Sequence, residues 1–223
     1  MAAADTTSTD WVQWPSNHRQ DSLDSSLPRN IAWTTNTTDY DSILYGPIVD
    51  YSFRNLDTLP DCLKLTPRPG FRQYQYTEDK KLKSCSLRLS NNRLCDLSGL
   101  NQLIGILFVE PTRLFWIDLS FNSFPIIDPV LIQCSNLQIL NLHGNQISEL
   151  FQMDKLATLP HMRSLTMHGN PVELMKGYRS YIVGTIPQLK SLDYSFITKQ
   201  DRSIAAVLKS FTRHKHPARR KYK

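Results

Sequence analysis

The stretch from Leu114 to Val172 contains Leu114-Phe-Trp-Ile117-Asp-Leu119-Ser-Phe-Asn122, then Leu137-Gln-Ile-Leu140-Asn-Leu142-His-Gly-Asn145, then Met162-Arg-Ser-Leu165-Thr-Met167-His-Gly-Asn170. Each copy reads L-x-x-L-x-L-x-x-N. Upstream, Ser84-Cys-Ser-Leu87-Arg-Leu89-Ser-Asn-Asn92 lacks the first leucine, and downstream Leu189-Lys-Ser-Leu192-Asp-Tyr194 lacks the asparagine. The asparagines fall 30, 23 and 25 residues apart.

The spacing has a physical cause. In a strand, alternate side chains point to opposite faces. Ile117 and Leu119, Leu140 and Leu142, and Leu165 and Met167 therefore point inward. One such face cannot be buried alone, so successive copies stack. This is the leucine-rich repeat pattern. It predicts an α/β solenoid, a short horseshoe with a parallel concave sheet and capped ends. Asn92, Asn122, Asn145 and Asn170 follow the strands, where the chain turns. Their amides can bond backbone groups that the turn leaves open, which makes them a structural asparagine ladder.

Working outward, residues 48–83 read as an irregular N-terminal cap, with a β-prone piece Ile48-Val-Asp-Tyr-Ser-Phe53. Residues 84–202 hold the repeats and a C-terminal cap. Leu97, Leu100, Leu103, Ile104 and Leu107 are spaced for a convex-side helix that Pro111 is expected to end. Tyr178, Tyr181 and Ile182 share a helical face. Residues 203–223 read as a short helix and a basic tail.

Charge is uneven along the 223 residues. The net charge is +6, yet residues 1–50 carry seven Asp against two Arg, and residues 202–223 carry eight basic residues and no acid. Residues 1–47 are polar and acidic, without periodicity, and are expected to be a disordered arm. Trp11, Trp14 and Trp33 within it read either as docking anchors for a partner or as groups that fold back on the chain's own domain. The basic tail, with Arg213, Lys215, Arg219, Arg220, Lys221 and Lys223, suits a polyanion such as an acidic microtubule surface. Nucleic acid ranks last, because aromatic interleaving for base stacking is confined to Tyr222.

Other classes are set aside. The N-terminus lacks a basic n-region and an apolar h-region, so no secretory signal is expected. The apolar run Ile106-Leu-Phe-Val109 is too short for a bilayer, and no membrane association is expected. Cys62, Cys85, Cys95 and Cys134 make no C-x-x-C and no disulfide-cap spacing, which favours a reducing, cytoplasmic setting without metal or cofactor. No phosphate-binding loop or nucleophile elbow occurs, so no catalysis is expected.

The outward rows of the predicted sheet are Ser86, Trp116, Ile139, Ser164 and Ser191; Arg88, Asp118, Asn141, Thr166 and Asp193; and Ser90, Ser120, His143, His168 and Ser195. Trp116 and Ile139 are expected to form an exposed apolar spot. With Arg88, Asp118, Asn141, His143, Thr166, His168 and Asp193 they make the candidate partner-binding face. His143 and His168 are lateral neighbours. Two ligands fall short of a metal site.

Gly177-Tyr-Arg-x-Tyr, Leu189-x-x-Leu192-Asp and Ile197-Thr-x-x-Asp-Arg202 resemble the C-terminal cap of intracellular leucine-rich repeat proteins. That class includes the regulatory-subunit type of protein phosphatase 1 and the axonemal dynein light-chain type. The resemblance extends to Asp50-Tyr-Ser-Phe-Arg54, Trp116-Ile-Asp-Leu-Ser-Phe-Asn122 and Lys176-Gly-Tyr-Arg179, and covers about residues 49–205. It implies a non-catalytic scaffold with protein partners. An axoneme of a motile cilium is the implied setting, with axonemal proteins or tubulin as partners. The alternative is a phosphatase-regulatory subunit.

Overall fold

The computed structural model describes residues 46–215, with side chains to residue 209. The acidic arm up to residue 45, with Trp11, Trp14 and Trp33, lies outside the described residues. So do Arg219, Arg220, Lys221 and Lys223 of the tail.

Seven strands form one sheet in sequence order: β1 (Val49–Asp50), β2 (Ser86–Arg88), β3 (Trp116–Asp118), β4 (Ile139–Asn141), β5 (Ser164–Thr166), β6 (Ser191–Leu192) and β7 (Ser195–Phe196). The first six are parallel, and β7 runs antiparallel to β6. Leu87, Ile117, Leu140, Leu165 and Leu192 lie side by side in register. All five are fully buried, as are Leu89, Leu119, Leu142 and Met167 two residues after the first four. Each such side chain contributes about 1.5–3 kcal/mol through removal from water. The parallel solenoid of leucine-rich repeats is thus what the inward leucines build.

The N-terminal cap contains a rung that the repeat pattern does not announce. Val49 pairs with Leu87, and Tyr51 N–H donates to the Arg88 carbonyl at 2.8 Å. Phe53 N–H donates to Ser90, as Asn91 N–H does to Ser120 one rung later. Residues 49–54 therefore copy the repeat, with Arg54 standing in the asparagine column.

The ladder amides carry the turns. Asn122 Nδ2 donates to the carbonyls of Leu89 and Leu119, and its Oδ1 accepts from Leu94 N–H. Asn145 Nδ2 donates to Leu119 and Leu142, and its Oδ1 accepts from Phe124 N–H. Asn170 Nδ2 donates to Leu142 and Met167, and its Oδ1 accepts from Ile147 N–H. Asn92 joins Tyr51 and Leu89 to the amides of Arg54 and Leu56. Each asparagine thus binds its own rung and the preceding one, and neighbouring asparagines share a carbonyl.

On the convex side α1 (Leu100–Leu107) buries Leu100, Leu103 and Ile104. This helix occupies the 30-residue spacing. The shorter repeats hold 3-10 turns at Pro129–Gln133 and Leu150–Gln152, the latter running into α2 (Met153–Leu156). Pro111 does not end α1. The helix stops at Leu107 because Leu82 captures its end: Leu82 N–H donates to Leu107, and Val109 N–H donates to Leu82. Pro111 instead opens a 3-10 turn, Pro111–Arg113, where its missing N–H costs nothing.

The C-terminal end is closed by α3 (Tyr178–Thr185) and α4 (Lys199–Lys215). Helix α4 starts four residues before the expected Ser203 and carries the backbone of Arg213 and Lys215. Thr198 and Asp201 cap its start reciprocally. Arg179 forks onto Asp201 at 3.0 and 3.1 Å and also holds the Phe196 carbonyl, which ties α3, β7 and α4 together.

Candidate functional site on the concave face

The register places Ser86, Trp116, Ile139, Ser164 and Ser191 in one lateral row, and Arg88, Asp118, Asn141 and Thr166 in the next. The face is more closed than the rows imply. Trp116 is 6% exposed, so the expected open apolar spot is absent. Its rung neighbour Arg88 lies over the indole, 5.3 Å from the ring centroid. Asp118 and Thr166 are buried as well. Polar side chains satisfy one another within and between rungs: Asp118 Oδ1 accepts from the Ser120 hydroxyl of its own rung at 2.6 Å, and Thr166 Oγ1 lies 2.8 Å from His143 Nδ1 on the adjoining rung.

Arg88 is held between two carboxylates, 3.4 Å from Asp50 and 3.6 Å from Asp118. The second carboxylate oxygen of Asp118 therefore meets its cation only at long range.

His143 and His168 stack face to face, with centroids 4.7 Å apart and planes 7° from parallel. Burial, and then the charge of His168, pushes the His143 pKa below the ordinary imidazole value. Asp193 departs from the expected row. It does not continue β6, and Ser195 instead opens the antiparallel β7. Asp193 and Tyr194 take φ of +49° and +61° and form a two-residue hairpin turn between β6 and β7. From that turn the Asp193 carboxylate accepts from the N–H groups of Met167 and His168 and from the Tyr178 hydroxyl, and lies 3.3 Å from His168 Nδ1. Burial, and then the charge of Asp193, pushes the Tyr178 phenol well above its ordinary value, so it remains a donor. The structure thus gathers His143, His168, Asp193 and Tyr194, while Trp116 and Asp118 lie one rung before His143 and Arg88 one rung before them.

A further column of residues lies outside the three rows. The residue before each ladder position is left-handed: Phe53 (φ 56°), Asn91 (φ 57°), Phe121 (φ 53°), Gly144 (φ 68°) and Gly169 (φ 70°). Glycine adopts this geometry freely, whereas an L side chain there costs about 1–2 kcal/mol. Phe53 and Phe121 are nevertheless 64% and 54% exposed, and Tyr194 is 50% exposed. The Phe121 ring leans over Gly144, where a Cβ would fall 2.6 Å from its Cδ1, and meets His143 edge-on at 5.0 Å. The two glycines before Asn145 and Asn170 are the sequence signal that Phe121, in the same column, is left-handed too. Phe53, Arg88, Asp118, Phe121, His143 and Tyr194 border a shallow cavity of about 260 Å³.

All four cysteines are free. Burial pushes the Cys62 thiol up to about 12 and Cys134 to about 11, so both stay protonated core groups. Among the described residues no cluster of three or more His, Cys, Asp or Glu is placed to hold a metal ion, and no helix is long and apolar enough to cross a membrane.

A leucine-rich repeat family model matches residues 86–220. The chain is 47% identical over 163 residues to leucine-rich repeat-containing protein 51 of Rattus norvegicus, covering 73% of this chain and 85% of the relative. It is 45% identical over 175 residues to the Homo sapiens protein of the same name, covering 78% and 91%. Among solved structures, a chain in the crystal structure of the Drosophila melanogaster SNF/U2A′ complex superposes with a TM-score of 0.51 at 25% identity, over 65% of this chain and 84% of that one. With its stacked inward leucines, shared asparagine carbonyls and capped parallel sheet, the chain belongs to the leucine-rich repeat family and is a relative of leucine-rich repeat-containing protein 51.

Proposed function

We propose that the chain is a non-catalytic protein-interaction scaffold that grips its partner on the concave face. The observation that carries this is the pair Phe53 and Phe121. Both hold the left-handed backbone that Gly144 and Gly169 hold without strain later in the column, and both side chains are more than half exposed. Retained strain beside exposed aromatic surface is what a docking site needs. The family supports a protein-protein role, and the related chain superposed above was solved within a complex.

The setting we propose is the axoneme of a motile cilium, on the resemblance of the C-terminal cap to the axonemal dynein light-chain type. There the basic segment from Arg213 onward would meet the acidic surface of tubulin. A pull-down from ciliated-cell extract, with wild type and the Phe53→Asn/Phe121→Gly double variant, tests both points. Both replacements tolerate positive φ, so the fold is kept. Axonemal proteins enriched by wild type and lost by the variant are expected. Identical profiles overturn the concave face, and capture of a phosphatase catalytic subunit alone replaces the axonemal reading with a phosphatase-regulatory one. Deleting residues 212–223 is expected to weaken retention on purified axonemes and flatten its salt dependence. Unchanged retention removes the tail's role.

A further inference from the structure

The proposed docking face has a chemistry that selects its occupant. This selectivity rests on the docking reading and lies in the half of the cavity between Phe121 and Tyr194. The carboxylate of Asp118 forms its floor. One of its oxygens is taken by Ser120, and the other lies 3.6 Å from Arg88 Nε, beyond hydrogen-bond reach. Arg88 is shared with Asp50, so two carboxylates face one guanidinium and the group keeps a net negative charge. His143 and Tyr194, which line this half of the cavity, add no positive charge at neutral pH. His143 has its pKa lowered, and the Tyr194 hydroxyl is pushed up by burial and by the charges of Asp118 and Asp193.

Aromatic rings supply the walls. Phe121 and Tyr194 both flank His143, with ring centroids at 5.0 and 6.0 Å. The same face already stacks guanidinium groups on rings within the chain, Arg88 over Trp116 at 5.3 Å and Arg68 over Phe53 at 5.8 Å. A ring face and a half-used carboxylate together attract a planar cation. A hydrophobic anchor would instead close water off from the Asp118 oxygen that faces Arg88 at 3.6 Å and offer it no donor, at a desolvation cost.

We propose that this cavity accepts an arginine side chain from the partner protein, its guanidinium lying against Phe121 and Tyr194 and donating to Asp118.

The test is an NMR titration of the full chain with Nα-acetylarginine methylamide, alongside the lysine and norleucine analogues. A lone side chain is expected to bind at about 1–10 mM, shifting the Phe121 and Tyr194 ring signals. Asp118→Asn and Phe121→Gly are each expected to weaken arginine binding by about three- to tenfold. Leu174→Ala, at an exposed position outside the cavity lining, leaves it within about twofold, inside the usual scatter between uncoupled sites. Norleucine binding as tightly as arginine overturns the charge requirement. Lysine binding as tightly overturns the planar-cation assignment. Absence of saturable binding, or an unaffected Asp118→Asn variant, overturns the site altogether. Should those results come with partner capture still lost in Phe53→Asn/Phe121→Gly, the docking face stands and only its arginine pocket falls.

Discussion

The shared carbonyls of the ladder make its energetics non-additive in a calculable way. In Asn145→Ala the Leu119 carbonyl keeps Asn122 as donor and the Leu142 carbonyl keeps Asn170. Only Phe124 N–H loses its sole partner, Asn145 Oδ1. One buried orphan costs about 1–3 kcal/mol. In Asn170→Ala two groups are orphaned, Ile147 N–H and the Met167 carbonyl, so the expected cost is about 2–6 kcal/mol. The double variant adds a loss that neither single variant shows. The Leu142 carbonyl now has neither donor, and the pair should cost about 1–3 kcal/mol more than the sum of its parts. Total stability of a domain is about 5–15 kcal/mol, so the four proteins of the cycle are best compared by urea unfolding in trimethylamine oxide. Additivity to within about 0.5 kcal/mol would refute the shared-carbonyl argument. So would an Asn145→Ala variant as damaged as Asn170→Ala.

Gly144→Ala should lose about 1–2 kcal/mol to left-handed strain, a fall of about 2–4 °C in Tm per kcal/mol, plus the cost of displacing the Phe121 ring; in a Phe121→Gly background only the strain should remain, and an equal loss in both backgrounds contradicts the contact. The folded pKa of His143 is depressed, so its contribution is full above the unfolded value of about 6.5 and is lost as pH falls through the folded pKa. An NMR titration that places His143 at or above that value would contradict its buried environment. The Asp201 carboxyl is held well below the usual range, first by Arg179 and then by Thr198. Its stabilisation is present above the unfolded value of about 3.9 and is lost as pH falls toward the folded one. Asp201→Asn should therefore move the acid-unfolding midpoint to higher pH, and an unmoved midpoint would show that the Arg179 fork contributes nothing in water.

The inward leucines and ladder asparagines were legible because period-two burial and a fixed turn residue leave a pattern in sequence. Rung 49–54 was obscured because Arg54 replaces the asparagine, although Val49 and Tyr51 keep the alternation. Trp116 shows a different failure. Sequence spacing tells which face a side chain takes, but not whether Arg88 on the preceding rung will lie across it. Asp193 was misplaced because two non-glycine residues turn the chain back, where the repeat register predicts continuation. The left-handed aromatic column was readable only by comparing Phe121 with Gly144 and Gly169 at the same distance from their asparagines.

The two ends of the sheet also bear on how such a chain can change length. At one end the reversed strand β7 occupies the free edge of β6, and at the other the Asp50 carbonyl of β1 accepts from Arg68 N–H. Neither edge invites another strand. New turns can enter only in the interior, where each asparagine hands one carbonyl to the next. A duplicated 25-residue unit between Asn145 and Asn170 would leave Phe53 and Phe121 at their present separation and carry Tyr194 away by one rung, about 4.8 Å. Repeat number on the C-terminal side of Phe121 is thus a ruler that sets how wide a side chain the aromatic walls can enclose.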